Sequence, residues 1–153
     1  NGLRDLLLAY NESGFQVLAF PCNQFGGQAP ASDACERNYT YRRMQLPFSP
    51  PSFTIFDKVD VNGPHALPLF RFLKTKAPRD APFDVCGHCD IAWNYEKFVV
   101  NSSGWPVRRI PAGVSPTEAE PAIRKLLGLT ELKAPAEIGI PKRYPKDAEE
   151  EES

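Results

Sequence analysis

From Leu3 the apolar residues Leu3, Leu6, Leu7 and Tyr10 recur at i, i+3, i+4 and i+7, with Gly14 following, which predicts a helix packed on one face. Residues 15–20 (FQVLAF) are apolar on both alternating faces and stop at Pro21, the pattern of an interior strand covered on two sides. Residues 23–31 are turn material. Asp33 with Glu36 three positions on reads as a capping box opening a short helix to about Arg43, and the Pro-rich stretch 47–52 reads as a surface connection. Residues 54–61 (TIFDKVDV) predict a strand, and Asn62, Gly63 and Pro64 turn the chain into a helix with Pro68 in its first turn and Leu69, Phe72 and Leu73 on one face. A loop over 77–90 leads to two β-rich runs, 91–100 and 105–110, joined by a hairpin loop at 101–104. Ile123, Leu126 and Leu127 mark a last helix starting near Pro121 and capped by Gly128.

Alternation of strand and helix predicts a layered α/β domain, and the length of 153 residues is that of one such domain. Residues 1–130 read as the folded part, and 131–153 as an extension ending in a mobile acidic tail at 149–152. At 42% hydrophobic and 24% charged residues the composition is globular, and no uncharged apolar run approaches the about 18 residues of a membrane span. Basic and acidic residues balance to a net charge of −1, without the basic excess of a nucleic-acid binder, so small molecules or proteins are the expected partners. Four cysteines, Cys22, Cys35, Cys86 and Cys89, are too few and too unevenly spaced for a disulfide framework and favour a reducing compartment. Sequons at Asn11, Asn38 and Asn101 would matter only in a secreted chain. The first residue is Asn1, with neither a Met nor a leader segment, which reads as a chain cut at its front.

Four strings, FPCNQFGGQ (20–28), FDKVDVNG (56–63), PLFRFLK (68–74) and AWNYEKFVV (92–100), stand in the same order as in the glutathione peroxidases, which the chain resembles over most of residues 3–127. The resemblance implies a thioredoxin-like α/β fold, a central mixed sheet flanked by helices, with the first strand and the nucleophile-bearing segment lying ahead of this chain. It also implies reduction of hydrogen peroxide and organic hydroperoxides by a selenocysteine or cysteine, assisted by a Gln, a Trp and an Asn that match Gln28, Trp93 and Asn94. Such residues suit the task, because a chalcogen attacks as its anion, and amide and indole N–H groups favour that anion without adding a titrating group. Taken singly, Gln28 reads as a polar turn residue and Trp93 as a core aromatic; the surrounding strings assign them to a site.

None of the four cysteines takes the attacking role. Cys22 reads as a small apolar residue at the end of an interior strand. The resolving position of thioredoxin-dependent members falls at Tyr41, and Cys35, six residues earlier, lies about 240° round a helix from it. The spacing from Gln28 to Phe53 resembles that of the animal-type selenium enzymes, which implies glutathione as the reductant and a selenocysteine, in preference to a cysteine, upstream of Asn1. Arg108 and Arg109 match a pair that binds glutathione carboxylates in that subgroup, with ordinary hairpin charges as the competing reading. The loop over 77–90 is shorter than in tetrameric members, which implies a monomer or small homo-oligomer. Cys86-Gly87-His88-Cys89 matches the redox motif of protein disulfide isomerases, but Val85 precedes it and Asp90 leads into a strand; it offers at most three zinc ligands, so no metal site is expected. Three readings follow: a cytoplasmic glutathione peroxidase serving the oxidative-stress response without a resident cofactor and inactive in the chain as given, a dithiol exchanger at Cys86 and Cys89, and a silent binding module.

Overall fold

The structure, a computed structural model, describes residues 2–44, 51–77 and 90–129. Helix α1 (Gly2–Tyr10) buries Leu6, Leu7 and Tyr10, as its spacing requires, and runs through a 3-10 turn at Asn11–Ser13 into Gly14, whose φ of 95° is left-handed. Strand β1 (Val17–Ala19) pairs in parallel with β2 (Phe53–Ile55), Val17 opposite Phe53. Both strands are shorter than the hydrophobic runs that predict them. Pro21 has no N–H to donate, so the regular ladder ends there. Past the last pair, Ala19 and Ile55, the Phe56 N–H bonds the Ala19 carbonyl at 2.9 Å and the Val59 N–H bonds the Pro21 carbonyl at 3.0 Å. The expected two-sided burial of β1 is also corrected: Val17 and Ala19 pack with Leu7, Phe53 and Ile55, whereas Leu18 on the other face is 54% exposed.

Helix α2 (Asp33–Met44) is capped by Ser32, one residue before the predicted position. The Ser32 hydroxyl accepts from the Cys35 N–H at 3.4 Å, while the Asp33 carboxylate turns away to accept from the Lys58 N–H at 3.1 Å. Helix α3 (Pro68–Lys76) buries Phe70 and Leu73, not the expected stripe through Leu69 and Phe72. Strands β3 (Lys97–Val100) and β4 (Pro106–Ile110) form the predicted hairpin, antiparallel with Phe98 opposite Arg109 and an irregularity between Val99 and Val100. β3 begins later than predicted because residues 93–95 turn instead of extending, with Tyr95 at φ 64°. A 3-10 turn at Pro116–Ala119 leads into α4 (Glu120–Leu126).

The mixed sheet is present as these two ladders, one parallel and one antiparallel, which do not hydrogen-bond to each other among the described residues. Apolar residues gather on both sides. One cluster joins Leu6 and Tyr10 of α1 to Val99, Ile110, Ala119 and Ile123. Within it the Tyr10 hydroxyl donates to Glu120 at 2.5 Å and accepts from the buried Arg124 at 3.1 Å. Burial, then the Glu120 carboxylate, raise the Tyr10 pKa above its ordinary value of 10.0. A second cluster, Phe25, Val61, Phe70, Leu73 and Ile91, lies beneath the segments that carry Gln28, Trp93 and Asn94. The predictions for Cys86 through Cys89, for the middle of the 77–90 loop and for the extension 131–153 lie outside the described residues.

Candidate active site

Gln28 ends a tight loop anchored by Phe25, which is buried in the second cluster. Gly26 and Gly27 both take left-handed φ, 67° and 62°, which a side chain would strain, and the chain thereby folds back within four residues. A Cβ on Gly26 would stand 3.7 Å from Gln28 Cγ and 3.7 Å from Trp93 Cη2, so the loop at Gly26 neighbours both side chains. Trp93 leans on Phe25, with ring centroids 5.9 Å apart, and is 51% exposed on its outer side. Asn94 donates from Nδ2 to Gln28 Oε1 at 2.7 Å, across 66 residues of sequence. Gln28 Nε2 and the Trp93 indole N–H make no hydrogen bond among the described residues. The structure thus brings Gln28, Trp93 and Asn94 together. None of the three titrates, and their chemistry is that of a donor cluster suited to an anion.

What holds the two segments in register is a set of amides to which the sequence reading gave no role. Gln24 Oε1 accepts from the Val61 and Asn62 N–H groups at 2.9 and 3.0 Å, and its Nε2 donates to the Asn62 carbonyl at 3.0 Å. Asn62 in turn pairs with the backbone of Ile91, donating to its carbonyl at 2.8 Å and accepting from its N–H at 2.9 Å. Lys74 closes the set, donating to Asn62 Oδ1 at 3.0 Å and to Asp90 at 2.7 Å. A primary amide offers a donor and an acceptor at backbone spacing, so Gln24 and Asn62 act as substitute rungs between chains that no longer form a sheet. The density of Asn and Gln in FPCNQF and DVNG is the signal that marks them in the sequence. Cys22 belongs to this framework, its sulfur 3.5 Å from the Gln24 N–H and 3.6 Å from Gln24 Oε1.

Arg108 and Arg109 are adjacent on β4 and so point to opposite faces of the hairpin. Arg108 donates to the Glu118 carbonyl, on the side of the first cluster. Arg109 shares the face of Phe98, lies 5.4 Å from its ring centroid, and forms an ion pair with Glu96 whose side chains are only 11% and 5% exposed. It also reaches the Asp90 carbonyl at 3.3 Å, and the second Glu96 oxygen accepts from the Ala92 N–H at 3.3 Å. Arg109 therefore braces the turn that carries Trp93 and Asn94. Among the described residues no group of three His, Cys, Asp or Glu side chains is placed to hold a metal.

A model of the family described as "Glutathione peroxidase" matches residues 1–74. Putative glutathione peroxidase 7, chloroplastic, from Arabidopsis thaliana is 43% identical over 125 residues, covering 82% of this chain and 49% of its own length, so the chain spans about half of that relative. Hydroperoxy fatty acid reductase gpx1 from Synechocystis is 40% identical over 126 residues, covering 82% of this chain and 72% of its own. Among solved structures, T. cruzi GPX1 superposes with a TM-score of 0.56 at 33% identity, covering 86% of this chain and 74% of that one.

Proposed function

The chain belongs to the glutathione peroxidase family, with its thioredoxin-like α/β fold, and we propose that the protein it represents reduces hydrogen peroxide and organic hydroperoxides at the expense of glutathione. The observation that carries this is the Gln28–Asn94 hydrogen bond of 2.7 Å beside Trp93, which converges three uncharged donor side chains from distant segments on one surface. In the proposed reaction a selenolate or thiolate attacks the peroxide O–O bond and releases an alcohol or water. The selenenic or sulfenic acid so formed loses water to one glutathione, and a second glutathione restores the nucleophile and leaves as the disulfide. Gln28 Nε2 and the Trp93 indole N–H donate to the anion and to the oxygen that gains charge, while Asn94 orients Gln28. We do not assign the nucleophile to the described cysteines, of which Cys22 contacts Gln24 and Cys35 lies on α2. We assign the attack to a residue upstream of the described segments, a selenocysteine in preference to a cysteine, and expect no turnover from residues 1–153 alone.

The name of the Synechocystis relative favours a fatty acid hydroperoxide among the organic substrates, and the exposed rings of Trp93 and Tyr95 offer such a chain apolar contact. No described helix is long and apolar enough to cross a membrane. We place the activity in the cytoplasm, in a monomer or small homo-oligomer, without a resident cofactor; a fluorescent fusion separates this location from the chloroplast named for the Arabidopsis relative. Dithiol exchange at Cys86 and Cys89 is not favoured, since the family match and the donor cluster both point to peroxide chemistry. The test is glutathione-dependent peroxide reduction, followed through NADPH and glutathione reductase, in a protein carrying the upstream nucleophile. Trp93→Phe and Asn94→Ala are each expected to lower the rate about 10-fold or more. Unchanged rates in both would refute the assignment of the site.

A further inference from the structure

Gln28 is exposed and its loop is rich in glycine, yet its amide meets Asn94 at hydrogen-bond distance, so something must restrain the chain beside it. The residue that follows it is held from both directions. The Ala29 N–H donates to Asn23 Oδ1 at 2.9 Å, which closes the loop of residues 23–29 upon itself. At the other backbone group of the same residue, the Lys58 ammonium donates to the Ala29 carbonyl at 2.9 Å and also to the Ala31 carbonyl. Lys58 is itself fixed, since its backbone N–H bonds Asp33 at 3.1 Å and the next residue, Val59, bonds the Pro21 carbonyl at 3.0 Å. An ammonium has three donors and no acceptor, and here two of the three go to carbonyls of one loop.

We propose that Asn23 and Lys58 are positioning residues for Gln28, clamping Ala29 from its two sides so that the Gln28 amide stays at Asn94. The proposal rests on Gln28 being a site residue, and it deepens that reading by naming what sets the residue's geometry. A tether serving stability alone would move the melting temperature but leave the Asn94 amide as it is. A clamp moves the amide.

The experiment is amide exchange by NMR on the 15N-labelled chain, with the Asn94 side-chain signals assigned by their loss in Asn94→Asp. In the wild type, the Asn94 Nδ2 proton that faces Gln28 is expected to exchange more slowly than its partner on the same nitrogen. Lys58→Met and Asn23→Ala are each expected to speed its exchange about 10-fold, whereas Lys58→Arg, which keeps donors for both carbonyls, restores it. The methyl signals of Ile110 and Ile123, in the other cluster, report that each variant is folded. Unchanged exchange in both folded variants overturns the clamp. Should either variant unfold, scalar coupling between the Lys58 ammonium nitrogen and the Ala29 carbonyl carbon in the wild type decides instead: its presence supports the clamp and its absence overturns it. In the nucleophile-bearing protein, Lys58→Met is expected to slow the peroxide half-reaction about 10-fold and to leave the glutathione half-reaction unchanged. A protein that reduces no peroxide refutes the proposed function, and the Asn94 exchange still decides the clamp.

Discussion

Arg109→Met separates two roles for a guanidinium that resemblance assigns to glutathione and geometry assigns to the scaffold. The substitution keeps an apolar stem against Phe98 but removes the partner of Glu96, a carboxylate only 5% exposed, together with the bond to the Asp90 carbonyl. Breaking a buried ion pair by removing one member costs about 3–5 kcal/mol, because the other charge is left without its counter-ion. Arg109 retains 11% exposure, so water reaches part of the site and the low end applies, about 3 kcal/mol. For a chain of 153 residues, about 2–4 °C per kcal/mol makes this a fall of about 6–12 °C in melting temperature. Thermal melts followed by circular dichroism read it directly. Arg109→Met combined with Glu96→Gln is expected to recover part of the loss, since the neutral amide needs no counter-ion. A melt within about 2 °C of the wild type, with weaker glutathione binding in the nucleophile-bearing protein, would show that Arg109 serves the ligand and would refute the bracing role.

Leu7, fully buried between α1 and the parallel ladder, is expected to cost about 2–5 kcal/mol on change to Ala, measured by urea unfolding; a cost below about 1 kcal/mol would mean that α1 does not pack on β1 and β2 as described. Tyr10→Phe removes the hydroxyl that joins Glu120 to Arg124 and is expected to cost about 1–3 kcal/mol at neutral pH. The folded protein holds the Tyr10 proton more tightly than the unfolded chain, so the stability this group contributes is complete below pH 10.0 and lost as pH rises through the raised folded value. Lys97, whose pKa burial lowers from 10.5, acts in the opposite direction near that range, so the Tyr10 contribution is read as the difference between wild type and Tyr10→Phe. Equal alkaline slopes in the two proteins would count against the buried hydroxyl network.

How far the sequence reveals this molecule depends on whether a residue's role is set locally or by what packs upon it. The helix at Gly2–Tyr10 and the hairpin of β3 and β4 follow from period and turn chemistry, which are properties of a few adjacent residues. In α3 the residues Leu69, Phe70, Phe72 and Leu73 are all apolar and span about 160° of the helix circumference, so the pattern leaves open which part of that arc turns inward; contact with Phe20, Phe25 and Phe98 selects Phe70. The same holds for β1, whose run is apolar on both faces although Phe15, Val17 and Ala19 pack with Leu7, Phe53 and Ile55 while Leu18 is exposed. Gln28, Trp93 and Asn94 could be singled out because family strings surround them, but their meeting depends on cross-chain bonds that no local pattern encodes. There a physical necessity links fold to site. Pro21 ends the ladder just before the loop, and the chains that must present Gln28 and Asn94 together have left the sheet that would otherwise fix their spacing. Side-chain amides at Asn23, Gln24 and Asn62, with the ammonium of Lys58, replace the lost rungs one bond at a time. The loops thereby gain sheet-like precision while keeping the freedom to curve that brings the amides of Gln28 and Asn94, 66 residues apart in sequence, within 2.7 Å of each other.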